Sequence, residues 1–232
     1  MQRAFKLFLL SCLAWLSLSG LARADVNDFV INNFSVDYQL SHQDRQGLLT
    51  VDEKIDLTFS DNNHGIYRAL PASYKSQPTN LKITNVKRDG VAEPYDSYEQ
   101  NGNLVLKIGS ASRSITGRHS YEINYTAENV VTFYSDHDEF YWDINGDQWG
   151  QSFESVDASL RLPPDMNLAS GLKAPLCYSG VYGSTDSNCT VEVVDHLVRV
   201  LSTNQLYAGE NLSLIVALPK GYFTPATFSE RN

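Results

Sequence analysis

From Phe34 onward the chain alternates. In "FSVDYQL" the apolar positions Phe34, Val36, Tyr38 and Leu40 interleave with Ser35, Asp37 and Gln39. A two-residue period puts one set on each face of a strand, so the segment reads as a half-buried strand. After the polar "SHQDRQG", "LTVDEKIDLTF" sets Leu49, Val51, Glu53, Ile55, Leu57 and Phe59 against Thr50, Asp52, Lys54, Asp56 and Thr58. The two segments predict a hairpin. "NLKITNV" precedes Asp89-Gly90, "NLVLKIG" follows Asn101-Gly102, and "HSYEINY", "VDASLRLP", "TVEVV", "LVRVL" and "NLSLIVALP" continue the pattern. Helical periodicity with caps is missing throughout. The expectation is an all-β chain, an antiparallel β-sandwich that is immunoglobulin-like or related, with two stacked small sandwiches as the alternative. One domain is expected over 25–220, with 221–232 as a linker or tail, because alternation fades after Pro219.

One residue breaks its own pattern. By parity Glu53 lies on the face of Val51, Ile55 and Leu57. A buried carboxylate is costly unless paired. The next basic residue beyond that strand is Arg68, in "HGIYRALP". A structural Glu53–Arg68 ion pair is therefore expected. The other readings are a catalytic carboxylate with a raised pKa and a bulge that turns Glu53 outward.

"DEFYWDINGDQWG", residues 138–150, crowds four carboxylates and four aromatic rings together. Asp143, Asn145 and Asp147, with Glu154 at the twelfth position, imitate a calcium-loop ladder. Gln148 stands where that loop needs glycine, and the flanks read as strands. Asn-Gly is a strong two-residue hairpin signal. A hairpin turning at Asn145-Gly146 would set Trp142 opposite Trp149 as a cross-strand pair and place Asp143 and Asp147 on opposite faces. Phe140, Trp142, Ile144 and Trp149 would share one face. Glu139, Tyr141 and Asp143 would share the other, the candidate ligand face. Asp138, Glu139 and Asp143 are the carboxylates from which a glycosidase pair would be drawn, but such a pair must face across a cleft.

Composition adds compartment and partner class. Arg3 and Lys6 precede an apolar run, and Ala22-Arg23-Ala24 satisfies the small-x-small cleavage rule, so residues 1–24 read as a secretory signal peptide. Losing Arg3, Lys6 and Arg23 moves the formal charge from −9 to −12. Nucleic acid and anionic lipid surfaces are thus poor partners. In an oxidising compartment the two remaining cysteines, Cys177 and Cys189, are expected to form a disulfide rather than a metal site. The five histidines are scattered, and neither a Ser-His-Asp order nor HExxH spacing occurs.

Two stretches carry a resemblance. "LLTVDEKIDLTFSDNNHGIYRALP" is similar to the early signature of the domain of unknown function 2207 family of predicted bacterial membrane proteins. "LVLKIGSASRSITGRHSYEINYTAENVV" and "DEFYWDINGDQW" resemble its later ones, and the resemblance spans about Phe34 to Pro219. It implies a β-rich domain outside the cytoplasmic membrane, in proteins that usually continue into transmembrane helices. It carries over no catalytic residue. This chain ends at Asn232 without such helices, so it is expected to be either an excerpt of a longer protein or a short exported relative. Membrane contact would come only through a segment absent from it.

The functional expectation is an exported, non-enzymatic envelope ectodomain, periplasmic or extracellular, for interaction or sensing. It would have no cofactor or metal and an unknown protein or glycan partner. The alternatives are a polysaccharide-binding module using Tyr141 and its neighbouring carboxylates, and a cryptic glycan hydrolase.

Overall fold

The computed structural model describes residues 28–166, 168 and 172–225. The expected signal peptide and the last residues of the expected tail lie outside the described residues. The chain runs through β1 (Phe29–Ser41), β2 (Leu48–Asn63), β3 (Gly65–Pro71), β4 (Ser73–Tyr74), β5 (Gln77–Pro78) and β6 (Lys82–Arg88). It continues through β7 (Val91–Ala92), β8 (Tyr95–Gln100), β9 (Asn103–Gly109), β10 (Ile115–Glu128), β11 (Val131–Phe133) and β12 (Asp138–Asp143). The last strands are β13 (Val156–Arg161), β14 (Leu176–Gly180), β15 (Cys189–Val194), β16 (Leu197–Ser202) and β17 (Asn211–Leu218).

An eight-stranded sheet in the order β15-β16-β13-β1-β2-β10-β6-β7 forms one layer. A four-stranded sheet, β11-β12-β17-β14, and a three-stranded sheet, β3-β9-β8, pack on its inner face. The fold is all-β and sandwich-like but asymmetric, and buried residues of the three sheets form one hydrophobic cluster. Pairing is antiparallel except between β1 and β13. The expected first hairpin is β1–β2, in a register that sets Val36 against Glu53.

Alternation builds this core directly. Leu49, Val51, Ile55, Leu57 and Phe59 of β2 are buried, and so are Tyr121, Ile123 and Tyr125 of β10. In β1 a register shift between Ile31 and Asn33 changes parity, so that both Ile31 and Phe34 face inward. Tyr38 of the large sheet meets Phe140 and Trp142 of the four-stranded sheet, with ring centroids 6.4 and 6.5 Å apart. Offset and edge-on ring contacts of this kind add to the area they bury.

The expected tail begins too early at 221. Phe223 is buried, the Thr224 amide donates to the Arg45 carbonyl at 2.7 Å, and the Tyr222 hydroxyl donates to the Asp165 carbonyl at 2.8 Å. Packed structure continues to at least Phe223. An irregular segment can be held by individual contacts without showing strand periodicity, which is why fading alternation misplaced the boundary.

Cys177 and Cys189 form a disulfide that ties β14 of the four-stranded sheet to β15 at the edge of the large one. Replacing both with serine should cost about 2–3 kcal/mol, because the bridge removes loop entropy from the unfolded chain. Urea unfolding of the oxidised protein and the Cys177→Ser/Cys189→Ser variant measures this. Equal midpoints would show that the bridge does not stabilise the fold.

Candidate functional site

The stretch 138–150 does not fold as a hairpin. Its first half is β12, which pairs with β11 on one side and β17 on the other, with Trp142 opposite Leu214. The expected Trp142–Trp149 cross-strand pair is absent. Trp142 packs on Tyr38, Tyr74 and Phe140, whereas Trp149 packs edge-on against Phe34 and Phe153. Asn145 explains the difference. A type I′ turn needs positive φ at both central residues, as at Asn101-Gly102, where φ is 51° and 75°. Gly146 has φ 75°, but Asn145 is not among the positive-φ residues. Its buried side chain extends the sheet: Oδ1 accepts from the Leu212 amide at 2.8 Å and Nδ2 donates to the Glu210 carbonyl at 2.9 Å. The Asn145 carbonyl accepts from Trp149 Nε1 at 2.8 Å and from Arg68 Nη1 at 2.7 Å.

Glu53 and Arg68 meet in the interior, side by side in a two-bond fork. Arg68 Nε donates to Glu53 Oε1 at 2.8 Å and Nη2 donates to Oε2 at 2.9 Å. Burial opposes the guanidinium charge, but Glu53 more than offsets it and raises the Arg68 pKa. The Arg68 guanidinium carbon also lies over the Phe34 ring, 5.3 Å from its centroid. The pair joins β2 of the large sheet to β3 of the three-stranded sheet and to the 144–145 backbone.

The three residues of the expected ligand face separate. Glu139 accepts a 3.3 Å bond from Tyr134, whose ring stacks on His137. Tyr141 and Asp143 lie further along and line a groove of about 280 Å³ on the outer face of the four-stranded sheet. Asp143 Oδ1 accepts from Tyr141 Oη at 3.0 Å, Ser213 Oγ at 2.6 Å and Asn211 Nδ2 at 2.8 Å. Burial first, and then the Asp143 carboxylate, raise the Tyr141 pKa, while a bond with Ser213 lowers it. The hydroxyl therefore stays a neutral donor. Tyr74 stacks against the Tyr141 ring with centroids 6.4 Å apart.

Asp147 lines the same groove as Asp143. The expectation that the two carboxylates fall on opposite faces fails because it depended on the hairpin. The far wall is the segment Tyr178–Ser184, closed off by the Cys177–Cys189 disulfide. Its polar, irregular letters gave no periodicity to read, and only the cysteine spacing hinted at an ordered loop. A larger cleft of about 490 Å³ lies on the outer face of the eight-stranded sheet, lined by Asp37, Asp157, Glu192 and Arg199 among others. It contains no aromatic ring and reads as the solvated side of the sheet. Among the described residues, no group of three His, Cys, Asp or Glu could hold a metal ion.

The model of a family described as "Predicted membrane protein (DUF2207) N-terminal domain" matches residues 30–218. The chain belongs to this family. The DUF2207 domain is 30% identical over 112 residues to the uncharacterized protein YciQ of Escherichia coli K12, a match covering 44% of this chain and 18% of that protein. In fold it is similar to yeast LTA4 hydrolase in complex with bestatin, with TM-score 0.51, 10% identity, and coverage of 81% of this chain and 28% of that one. An M1 zinc metallopeptidase from Deinococcus radiodurans aligns with TM-score 0.45 and 9% identity, covering 82% of this chain and 42% of that one. The DUF2207 domain thus spans less than half of each of these proteins. At 10% identity the likeness to the yeast hydrolase concerns the fold alone. No helix among the described residues is long and apolar enough to cross a membrane.

Proposed function

We propose that this DUF2207 domain is an extracytoplasmic, non-catalytic interaction domain of a bacterial envelope protein, and that it engages its ligand at the Tyr141–Asp143 groove. The observation that carries this reading is the disulfide, which closes the loop that walls the groove. Compartment and site are thereby linked, because such bridges form and persist where the environment is oxidising. A non-catalytic role is supported by the state of Glu53, a deeply buried carboxylate on the apolar face of β2. Both oxygens of Glu53 are occupied by Arg68, and its side chain is sealed from solvent. It has no open side from which to exchange a proton with a substrate.

The test is export and oxidation in the cell. The full chain, expressed in E. coli, should appear in the osmotic-shock or spheroplast-accessible fraction. Acid-quenched alkylation should find Cys177 and Cys189 unreactive until reduction. A chain retained inside the cell with both thiols alkylated would sink the reading.

A further inference from the structure

We propose that the groove between β12, β17 and the segment Tyr178–Ser184, the end of β14 and the turn after it, binds a single ring of a neutral glycan chain. This names the ligand class of the site proposed above and rests on that reading.

The groove presents two chemistries side by side. Tyr141, Tyr178 and Tyr182 supply aromatic surface, and Tyr182 is 94% exposed at the rim. The other chemistry is hydrogen-bond acceptance. Asp143 remains exposed even though its Oδ1 is engaged three times, and Asp147 is also exposed at the rim. Ser213 and Asn211 are committed to holding Asp143 in place. What the groove offers a ligand is therefore flat apolar area with a polar tip, and carboxylate acceptors fixed beside it.

A pyranose ring has the matching pair of features: a face of C–H bonds and a rim of hydroxyl donors. Charge narrows the class. None of the residues lining the groove is lysine or arginine, and two are aspartate. A phosphate, sulfate or uronate would meet two carboxylates with no cation to offset them, which disfavours anionic ligands. Size points the same way. At about 280 Å³ the groove falls just under the ~300–1,000 Å³ of typical small-molecule sites, suiting one ring with the rest of its chain running out past Tyr182. The support is rigid. Tyr141 and Asp143 stand on a central strand pair, Tyr74 backs the Tyr141 ring, and the disulfide holds the loop.

The experiment uses the purified full chain with its disulfide intact, whether oxidised in the cell or in vitro, so that a failure of export leaves it readable. Cellotriose, maltotriose and chitotriose are titrated and followed by saturation-transfer NMR, with trigalacturonate and spermidine as anionic and cationic probes. At least one neutral trisaccharide should bind saturably, with Kd on the order of 1 mM or tighter. Tyr182→Ala, whose side chain is almost wholly exposed, should unfold at the wild-type temperature and bind about tenfold more weakly. Asp147→Ala should also weaken binding several-fold. The proposal is overturned if no neutral trisaccharide binds at ~10 mM, or if Tyr182→Ala binds as well as wild type. Preference for trigalacturonate or spermidine over every neutral sugar would overturn the ligand class.

Discussion

Arg68→Ala is expected to lower stability by about 3–5 kcal/mol, measured by urea unfolding followed through tryptophan fluorescence. The magnitude comes from what is left behind. With the guanidinium gone, Glu53 is an unpaired carboxylate whose side chain is fully sealed from solvent. Arg68 also bonds the carbonyls of Ala69 and Asn145, at 3.0 and 2.7 Å. Trp149 still reaches the Asn145 carbonyl, so that acceptor is not orphaned. Glu53→Gln should fall in the same range, because it strands the guanidinium instead. The double variant Glu53→Met/Arg68→Met separates the two contributions. A buried ion pair replaced by apolar residues of similar volume is often neutral or better. Here the double variant should recover most, but not all, of the loss, since the contacts of Arg68 with the 144–145 backbone and the Phe34 ring disappear with it. Single variants within ~1 kcal/mol of wild type would mean that water reaches the pair, contrary to the burial on which the estimate rests.

That pair was legible in the sequence for a definite reason. Strand parity is a local property, and a single charged residue on an apolar face is visible in eleven letters. The same holds for β2, β10, β13 and β1 from Phe34 onward, whose inward faces follow the two-residue period. The inward set Phe140, Trp142 and Ile144 was legible too, and all three are buried. What those letters could not reveal is what lies beside β12. Asn145-Gly146 and Asn101-Gly102 are the same dipeptide. Only the second closes a hairpin, because Asn145 is claimed by the backbone of Glu210 and Leu212, some 65 residues away. A turn signal predicts the local minimum, and here tertiary hydrogen bonds outweigh it. The groove inherited that error. Its second wall comes from the end of β14 and the turn after it, and its polar floor from β17, so neither could be attached to Tyr141 by reading outward from "DEFYWDINGDQWG".

Gly65→Ala and Gly109→Ala should each cost roughly 3–5 kcal/mol or leave no folded protein. These two glycines face each other at the start of the β3–β9 pairing. Their φ angles are +140° and +128°, where side-chain-bearing residues rarely go. A Cβ on Gly65 would lie 1.8 Å from the Ile108 carbonyl oxygen, and one on Gly109 would lie 2.0 Å from that of His64. Both obstacles are backbone, so no rotamer change relieves the clash. The position matters because the chain changes sheets here. β2 ends at Asn63 in the eight-stranded sheet and β3 begins at Gly65 in the three-stranded one, with Asn63 Oδ1 accepting from the amides of His64 and Gly65 at 2.7 and 3.3 Å. Arg68 follows three residues later, so the tightness of this corner helps bring the guanidinium over Glu53. Gly90→Ala is the control. It also has positive φ, +78°, but no atom lies within 4 Å of its added Cβ. Only the conformational penalty applies there, about 1 kcal/mol. Thermal and urea unfolding of the three variants should therefore separate the corner glycines from the turn glycine. If Gly65→Ala and Gly90→Ala cost the same, the close approach of the two backbones is not what makes glycine necessary at the corner, and backbone conformation alone would account for it.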